Sequence, residues 1–382
     1  MAEITTYLSP NGRQTSSGDG PATRILVATV NGVATMRRAS PSAPWSPEGK
    51  SLETNHVSCL EFEESSGRLF AGAHNDGGLW VSEDGSGKSW RQLTNGLDRP
   101  HIYALAVRRR GDHVSLFAGT SPAGLYRSDD LGESWFEIKS MLDVPGTDQW
   151  TFPPPPHIPH VKQIVFHPKE PDTIFCLIEQ GAFLKSEDDG KNWVELDGYS
   201  RPEDFYYHDM HRLLIRPDDP DVFYLVTGVG FYRSDDAGQT YEHLMRRGDR
   251  IGYPDTVFLD PHDSKTIYMS GSEHDPGTWR KTGIARSCVL SSADEGQTWV
   301  ELDYGMRENA AVSSIEAMCQ HVWGDGMMLV VGTATGEVCI TEDRGASWIQ
   351  VSEAIQPVSK DHHYMAFLPE AEREKAQARR SV

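Results

Sequence analysis

The sequence predicts an all-β chain folded as a seven-bladed β-propeller of four-stranded antiparallel blades, with the ring closed by pairing the two ends of the chain. Three observations predict it. A short phrase ending in a large aromatic residue returns six times at intervals of about 45–60 residues, the period of a propeller blade. Most copies follow runs rich in β-branched and aromatic residues, such as Leu116-Phe117-Ala118-Gly119-Thr120 and then Gly124-Leu125-Tyr126-Arg127-Ser128, the signature of an antiparallel meander. A length of 382 residues suits one all-β unit of this kind and forces no domain boundary.

The elements run in order as follows. Residues 1–22 are polar and Ser/Gly-rich and are expected to be a disordered leader. The propeller then spans 23–369, beginning with Arg24-Ile25-Leu26-Val27-Ala28-Thr29 in a blade that lacks its first strand. The phrase appears first as Ser82-Glu83-Asp84-Gly85-Ser86-Gly87-Lys88-Ser89-Trp90, with one extra residue, and then as Ser128-Asp129-Asp130-Leu131-Gly132-Glu133-Ser134-Trp135. It returns at Ser186 to Trp193, Ser234 to Tyr241, Ser292 to Trp299 and Thr341 to Trp348. The missing first strand is expected from His363-Tyr364-Met365-Ala366-Phe367-Leu368, which would remove exposed sheet edges, and 370–382 is a charged tail.

The repeated phrase has a physical reading. Its Asp carboxylate accepts turn N–H groups, its Gly permits positive φ, and its aromatic packs between neighbouring sheets. On these residues the chain resembles the Asp-box (bacterial neuraminidase repeat) β-propellers, which include sialidases, xyloglucan-acting glycosidases, sortilin-type receptors and a photosystem assembly factor. The repetition specifies a fold and says little about chemistry.

Composition narrows the partners. With 36 Lys and Arg against 56 Asp and Glu, the formal net charge of −20 disfavours nucleic acid and anionic membrane surfaces. Five scattered cysteines without a C-x-x-C pair read as buried hydrophobes in a reducing compartment. The first residues carry no basic-then-apolar leader and no apolar run reaches the ~20 residues of a membrane span, so a cytoplasmic location is expected.

The resemblance implies that the start of each innermost strand lies on the face opposite the boxes. Aligning those strands on Leu60/Phe62, Leu105/Val107, Ile164/Phe166, Leu213/Ile215, Val257/Leu259 and Met365/Phe367 creates two rows of side chains facing the channel. One row is His56, His101, His160, Asp209, Tyr253 and Asp361. The other is Ser58, Tyr103, Lys162, His211, Asp255 and His363.

Five histidines in these rows, His56, His101, His160, His211 and His363, are candidate ligands for a divalent transition metal (Zn, Fe, Mn, Ni or Cu), although single histidines at such positions also serve structurally. Asp209, Asp255 and Glu273 are candidate acid/base groups. His74, Tyr103, His157, Glu179 and Tyr253 are candidate substrate contacts, with Pro153 to His157 as a stiff element over the site.

The leading expectation is a metal-dependent intracellular enzyme acting on a small molecule, with hydrolase, lyase and oxygenase chemistry all open. The alternatives are a scaffold that binds a protein partner, and a sialidase-like glycosidase using paired carboxylates. The sialidase pattern is only partly present, since its N-terminal signature is reduced to Thr23-Arg24-Ile25-Leu26.

Overall fold

The computed structural model describes residues 3–200, 208–302, 313–352 and 355–360. They form seven sheets around a central channel, six of four strands and one of five. Blades 2 to 6 are simple antiparallel meanders built from consecutive strands, with innermost strands Val57–Glu63, Ile102–Arg110, His160–Phe166, Met210–Ile215 and Tyr253–Asp260. Blade 7 is built on the innermost strand Ile315–Trp323. No described helix is long and apolar enough to cross a membrane.

The repeated phrase forms the same turn in blade after blade. In blade 3, Asp130 Oδ1 accepts from Ser128 Oγ at 2.7 Å and from the Ser134 amide at 2.9 Å, while Oδ2 accepts from Ser134 Oγ at 2.5 Å. Asp188, Asp236, Asp294 and Asp343 repeat this pattern in blades 4 to 7. Gly132 needs φ +90°, and the Trp135 indole donates to its carbonyl at 3.1 Å, so the turn and the aromatic wedge lock together. Apolar cores then lie between neighbouring blades. Phe117, Leu125 and Met141 of blade 3, for example, pack with Ile164, Ile174 and Trp193 of blade 4.

The ring closes differently from the sequence expectation. The innermost strand of blade 1 is Thr5–Leu8, which pairs in parallel with Arg24–Thr29. The proposed closing strand 363–368 lies outside the described residues. The leader is therefore structured where disorder was expected: β-branched and aromatic Thr5-Thr6-Tyr7-Leu8 meet strand requirements, and Pro10-Asn11-Gly12 supplies turn residues.

After that turn the chain reverses, and Thr15–Ser17 pairs in parallel with Ile315–Trp323 as the fifth strand of blade 7. This N-terminal hairpin occupies the channel. The Asn11 amide donates to Ser58 O at 3.1 Å, the Arg13 amide to Leu60 O at 2.9 Å, and the buried Arg212 guanidinium to Pro10 O. Leu8 joins Ile25 and Val27 of blade 1 with Met328 and Val330 of blade 7 in one closing core.

Candidate functional site

The innermost strands share a backbone irregularity that makes the site. In six blades the pairing skips one residue just after the strand begins, a β-bulge falling at Ser58, Tyr103, Lys162, His211, Asp255 and Glu316. A bulged residue leaves the ladder and re-aims its side chain, and all six are buried near the channel axis. Five are the second row read from the sequence. The sixth is Glu316 of blade 7; His363 and Asp361 lie outside the described residues.

Above this ring is a cavity of about 380 Å³, within the ~300–1,000 Å³ usual for small-molecule sites. Tyr103, Lys162, Asp255 and Glu316 of the bulge ring line it, with Glu179 and Asp209 beside them. Phe152 to Pro154 stand on one side. Asp275 to Gly277 and Trp279 stand on the other, the Asp275 carboxylate capping the short helix Pro276–Thr282. Lys360 enters from the segment that follows the last repeat.

Two ion pairs fix much of the lining. Lys162 Nζ and His160 Nε2 meet Glu179 Oε2 at 2.7 and 2.9 Å, and Lys360 Nζ meets both oxygens of Asp255 at 2.7 and 2.5 Å. Burial pushes the Glu179 carboxyl up, but Lys162 and His160 pull it further down, well below the usual carboxylate range. Asp255 is likewise raised by burial and lowered overall by Lys360, then Lys162 and His211. Both are anions. Glu316 accepts from Ser314 Oγ at 2.8 Å, Ser359 Oγ at 3.0 Å and the Lys360 amide at 2.7 Å.

Asp209 has a different environment. His211 Nδ1 lies 2.5 Å from the Pro254 carbonyl, which fixes the ring hydrogen on Nδ1 and leaves Nε2 facing Asp209 Oδ1 at 3.4 Å. Asp209 Oδ1 makes no hydrogen bond, and among the described residues no lysine pairs with this carboxylate. The Tyr253 hydroxyl donates to Asp209 Oδ2 at 3.4 Å, and burial, reinforced by Asp209 and Glu179, keeps that phenol protonated.

Among the described residues, the histidines of the two rows have separate partners. His56 Nε2 contacts Ser359 O at 2.7 Å, His74 Nδ1 contacts His101 Nε2 at 3.1 Å, and His160 and His211 are engaged as above. His56, His74 and His101 stack with Tyr103 into a packed block at blades 2 and 3. Burial, with His160 and His56 nearby, pushes His101 down to about 3, so it is neutral. Among the described residues, Glu179, Asp209 and His211 are the group that brings one ligating atom each within 4.8 Å of the others. The Lys162 ammonium already balances Glu179 there.

Other sequence candidates are redistributed. Tyr103, Glu179, Asp209, Tyr253 and Asp255 line the cavity. Glu273 does not: just past the end of the strand Asp263–Ser272, its carboxylate pairs with Arg286 at 3.3 Å and with His274 at 3.5 Å. His157 is exposed and its Nδ1 meets Phe152 O at 2.8 Å, bracing the loop without lining the cavity. His74 belongs to the packed block. Glu316, Lys360 and Arg247 were not anticipated as lining residues.

No family model matches the chain. The xyloglucanase Xgh74A of Acetivibrio thermocellus is 25% identical over 274 residues, covering 62% of this chain and 30% of that protein. The chain is similar to xyloglucanases. It spans under a third of that relative's length. Among solved structures, an ancestral GH74 enzyme aligns over 78% of this chain and 38% of its own with a TM-score of 0.57 at 15% identity. YCF48 bound to D1 peptide aligns over 89% of this chain and 87% of its own with a TM-score of 0.51 at 14% identity, a likeness of fold. The xyloglucanase relatives are glycoside hydrolases, which overturns the metal-dependent small-molecule reading and favours the glycosidase alternative.

Proposed function

We propose that the axial cavity hydrolyses a glycosidic bond in a glucan-type chain such as xyloglucan, and that the chain belongs with the Asp-box propellers. The observation that carries this reading is a set of buried carboxylates around one cavity in different surroundings, Glu179 and Asp255 each paired with a lysine and Asp209 beside His211 and Tyr253. Such a division is what acid and base roles require.

In this scheme Asp209, the carboxylate without a lysine partner, gives a proton to the oxygen of the leaving sugar as the anomeric C–O bond breaks. Glu179 takes a proton from a water whose oxygen bonds to the anomeric carbon, so one bond to oxygen replaces another and the two protons balance. Asp255, held ionised by Lys360, stabilises the positive charge that develops on the ring. Phe152, Tyr253 and Trp279 offer flat apolar faces to the C–H faces of sugar rings, while the charged groups take the hydroxyls.

The test measures reducing-sugar release from xyloglucan by the full chain and by Asp209→Asn, Glu179→Gln and Asp255→Asn. Each substitution of an acid or base is expected to lower turnover by roughly 10²–10⁴-fold with circular dichroism unchanged. Wild-type protein that releases nothing from xyloglucan or related glucans, or variants that retain full turnover, would refute the reading.

A further inference from the structure

We propose that Asp209, His211 and Glu179 form a binding site for one Zn²⁺ ion, and that the ion, by occupying Asp209, stops the reaction set out above. The binding stands on geometry alone, and the inhibition rests on the glycosidase reading. Of the five histidines singled out in the sequence the site uses His211, and the ion inhibits the chain and is not required by it. The fold brings the three groups together from blades 4 and 5. Glu179 ends the second strand of blade 4, and its backbone bridges to Asp209 just ahead of the innermost strand of blade 5. His211 follows at the bulge. One ligating atom from each lies within 4.8 Å of the others, and all three residues are more than nine-tenths buried.

Asp209 carries the independent sign of a ligand. Its Oδ2 faces the Tyr253 hydroxyl at 3.4 Å and packs on Gly228, where a Cβ would overlap it. Its Oδ1 makes no hydrogen bond and lies 3.4 Å from His211 Nε2. A buried carboxylate oxygen left in this way is costly, and a cation removes the cost. His211 is set to supply the second ligand. The Pro254 carbonyl can only accept, so it holds the ring hydrogen on Nδ1 and turns Nε2 toward Asp209, the arrangement that orients imidazoles for metals.

The separation of 3.4 Å points to the ion. Zinc bonds of about 2.0–2.2 Å at tetrahedral angles set neighbouring ligand atoms about 3.3–3.5 Å apart, whereas the right angles of octahedral Mg²⁺ need about 2.9 Å. An imidazole among the ligands also suits Zn²⁺ and not Mg²⁺. Lys162 and His160 both meet Glu179 through Oε2, which leaves Oε1 for the ion. Lys162 neutralises one of the two carboxylate charges and so limits the affinity without filling the site. The fourth position opens on the cavity that Glu179 and Asp209 line, where a water completes the tetrahedron. The exposed pair His274 and Glu273 has a similar separation of 3.5 Å, but Arg286 holds that carboxylate and no third ligand joins them among the described residues.

In the experiment the full chain, without an affinity tag, is dialysed against Zn²⁺ and separately against Co²⁺, whose visible spectrum reports coordination geometry. One ion per chain is expected, with the strong visible bands of four-coordinate Co²⁺ and a zinc X-ray absorption spectrum showing one imidazole among oxygen ligands. His211→Asn and Asp209→Asn should each lower the affinity by at least about 10–100-fold, and His274→Asn should leave it unchanged. Sugar release from xyloglucan should stop as the ion fills the site and return when a chelator is added. No uptake, an octahedral Co²⁺ spectrum, two or more imidazoles on zinc, or full binding by folded His211→Asn and Asp209→Asn would overturn the site. The wild-type spectra decide this even if those variants do not fold. Turnover that continues with the site filled would overturn the inhibition. A chain that binds the ion as described but never releases sugar would uphold the site and remove the glycosidase reading.

Discussion

Lys162 and Glu179 show how residue chemistry and stability are linked in this site. Both are buried, so each charge depends on the other, and an unpaired ion in such a place costs several kcal/mol. Lys162→Met is expected to destabilise the fold by about 3–5 kcal/mol in urea unfolding, and Lys162→Met/Glu179→Gln to recover most of that loss. Because the folded carboxyl lies well below its unfolded value, the contribution of Glu179 is present above pH ~4.3 and is lost as pH falls below it. Glu61 has the opposite sign. Burial, against the opposing Arg13, pushes its carboxyl up to about 8, so the folded chain keeps a proton that the unfolded chain releases at about 4.3. Stability should fall as pH rises through that interval. Glu61→Gln should therefore gain on the order of 3 kcal/mol at pH 8 and nothing at pH 4, measured by denaturant titration at both values.

At the scale of elements, the bulged start of each innermost strand decides which side chains reach the axis, and the repeats made most of that row legible in the sequence. Leu60/Phe62, Leu105/Val107 and their counterparts mark the register two and four residues after Ser58, Tyr103 and the rest. Glu316 was hidden because its second marker is Gln320, a buried polar residue that donates to Thr15 Oγ1 at 3.0 Å and to Leu259 O at 3.1 Å. The strand Thr15–Ser17 beside it makes a polar residue acceptable there, and that strand was itself read as leader. Short polar segments carry no periodicity, so a hairpin stabilised by a channel built elsewhere in the chain leaves little trace in its own residues. Its tip is tightly fitted: a Cβ at Gly12 would overlap the backbone of Leu60. Gly12→Ala is expected to cost about 1–3 kcal/mol and to lower the thermal midpoint, whereas an unchanged midpoint would show that the hairpin does not brace the ring.

On the scale of the whole molecule, the repeats specify the ring but the site arises where they differ. Boxes, wedged aromatics and interblade cores are alike around the ring, while the bulge positions carry Ser, Tyr, Lys, His, Asp and Glu in turn. The histidines were visible as a pattern, yet their packing against one another was not, because spacing along a strand does not report which neighbour a ring will meet across blades. Lys360 was invisible for a simpler reason: it follows the last repeat and has no counterpart with which to align.

The central claim is that glycan binds in the axial cavity, and amide hydrogen exchange of the full chain with and without a xyloglucan oligosaccharide tests it most directly. The account predicts slowed exchange confined to residues 152 and 179–180, the strand Tyr253–Asp260 and residues 275 and 277–279, with the Asp-box turns unchanged. Protection centred on the turns or the outer strands, or none at saturating oligosaccharide, would contradict it.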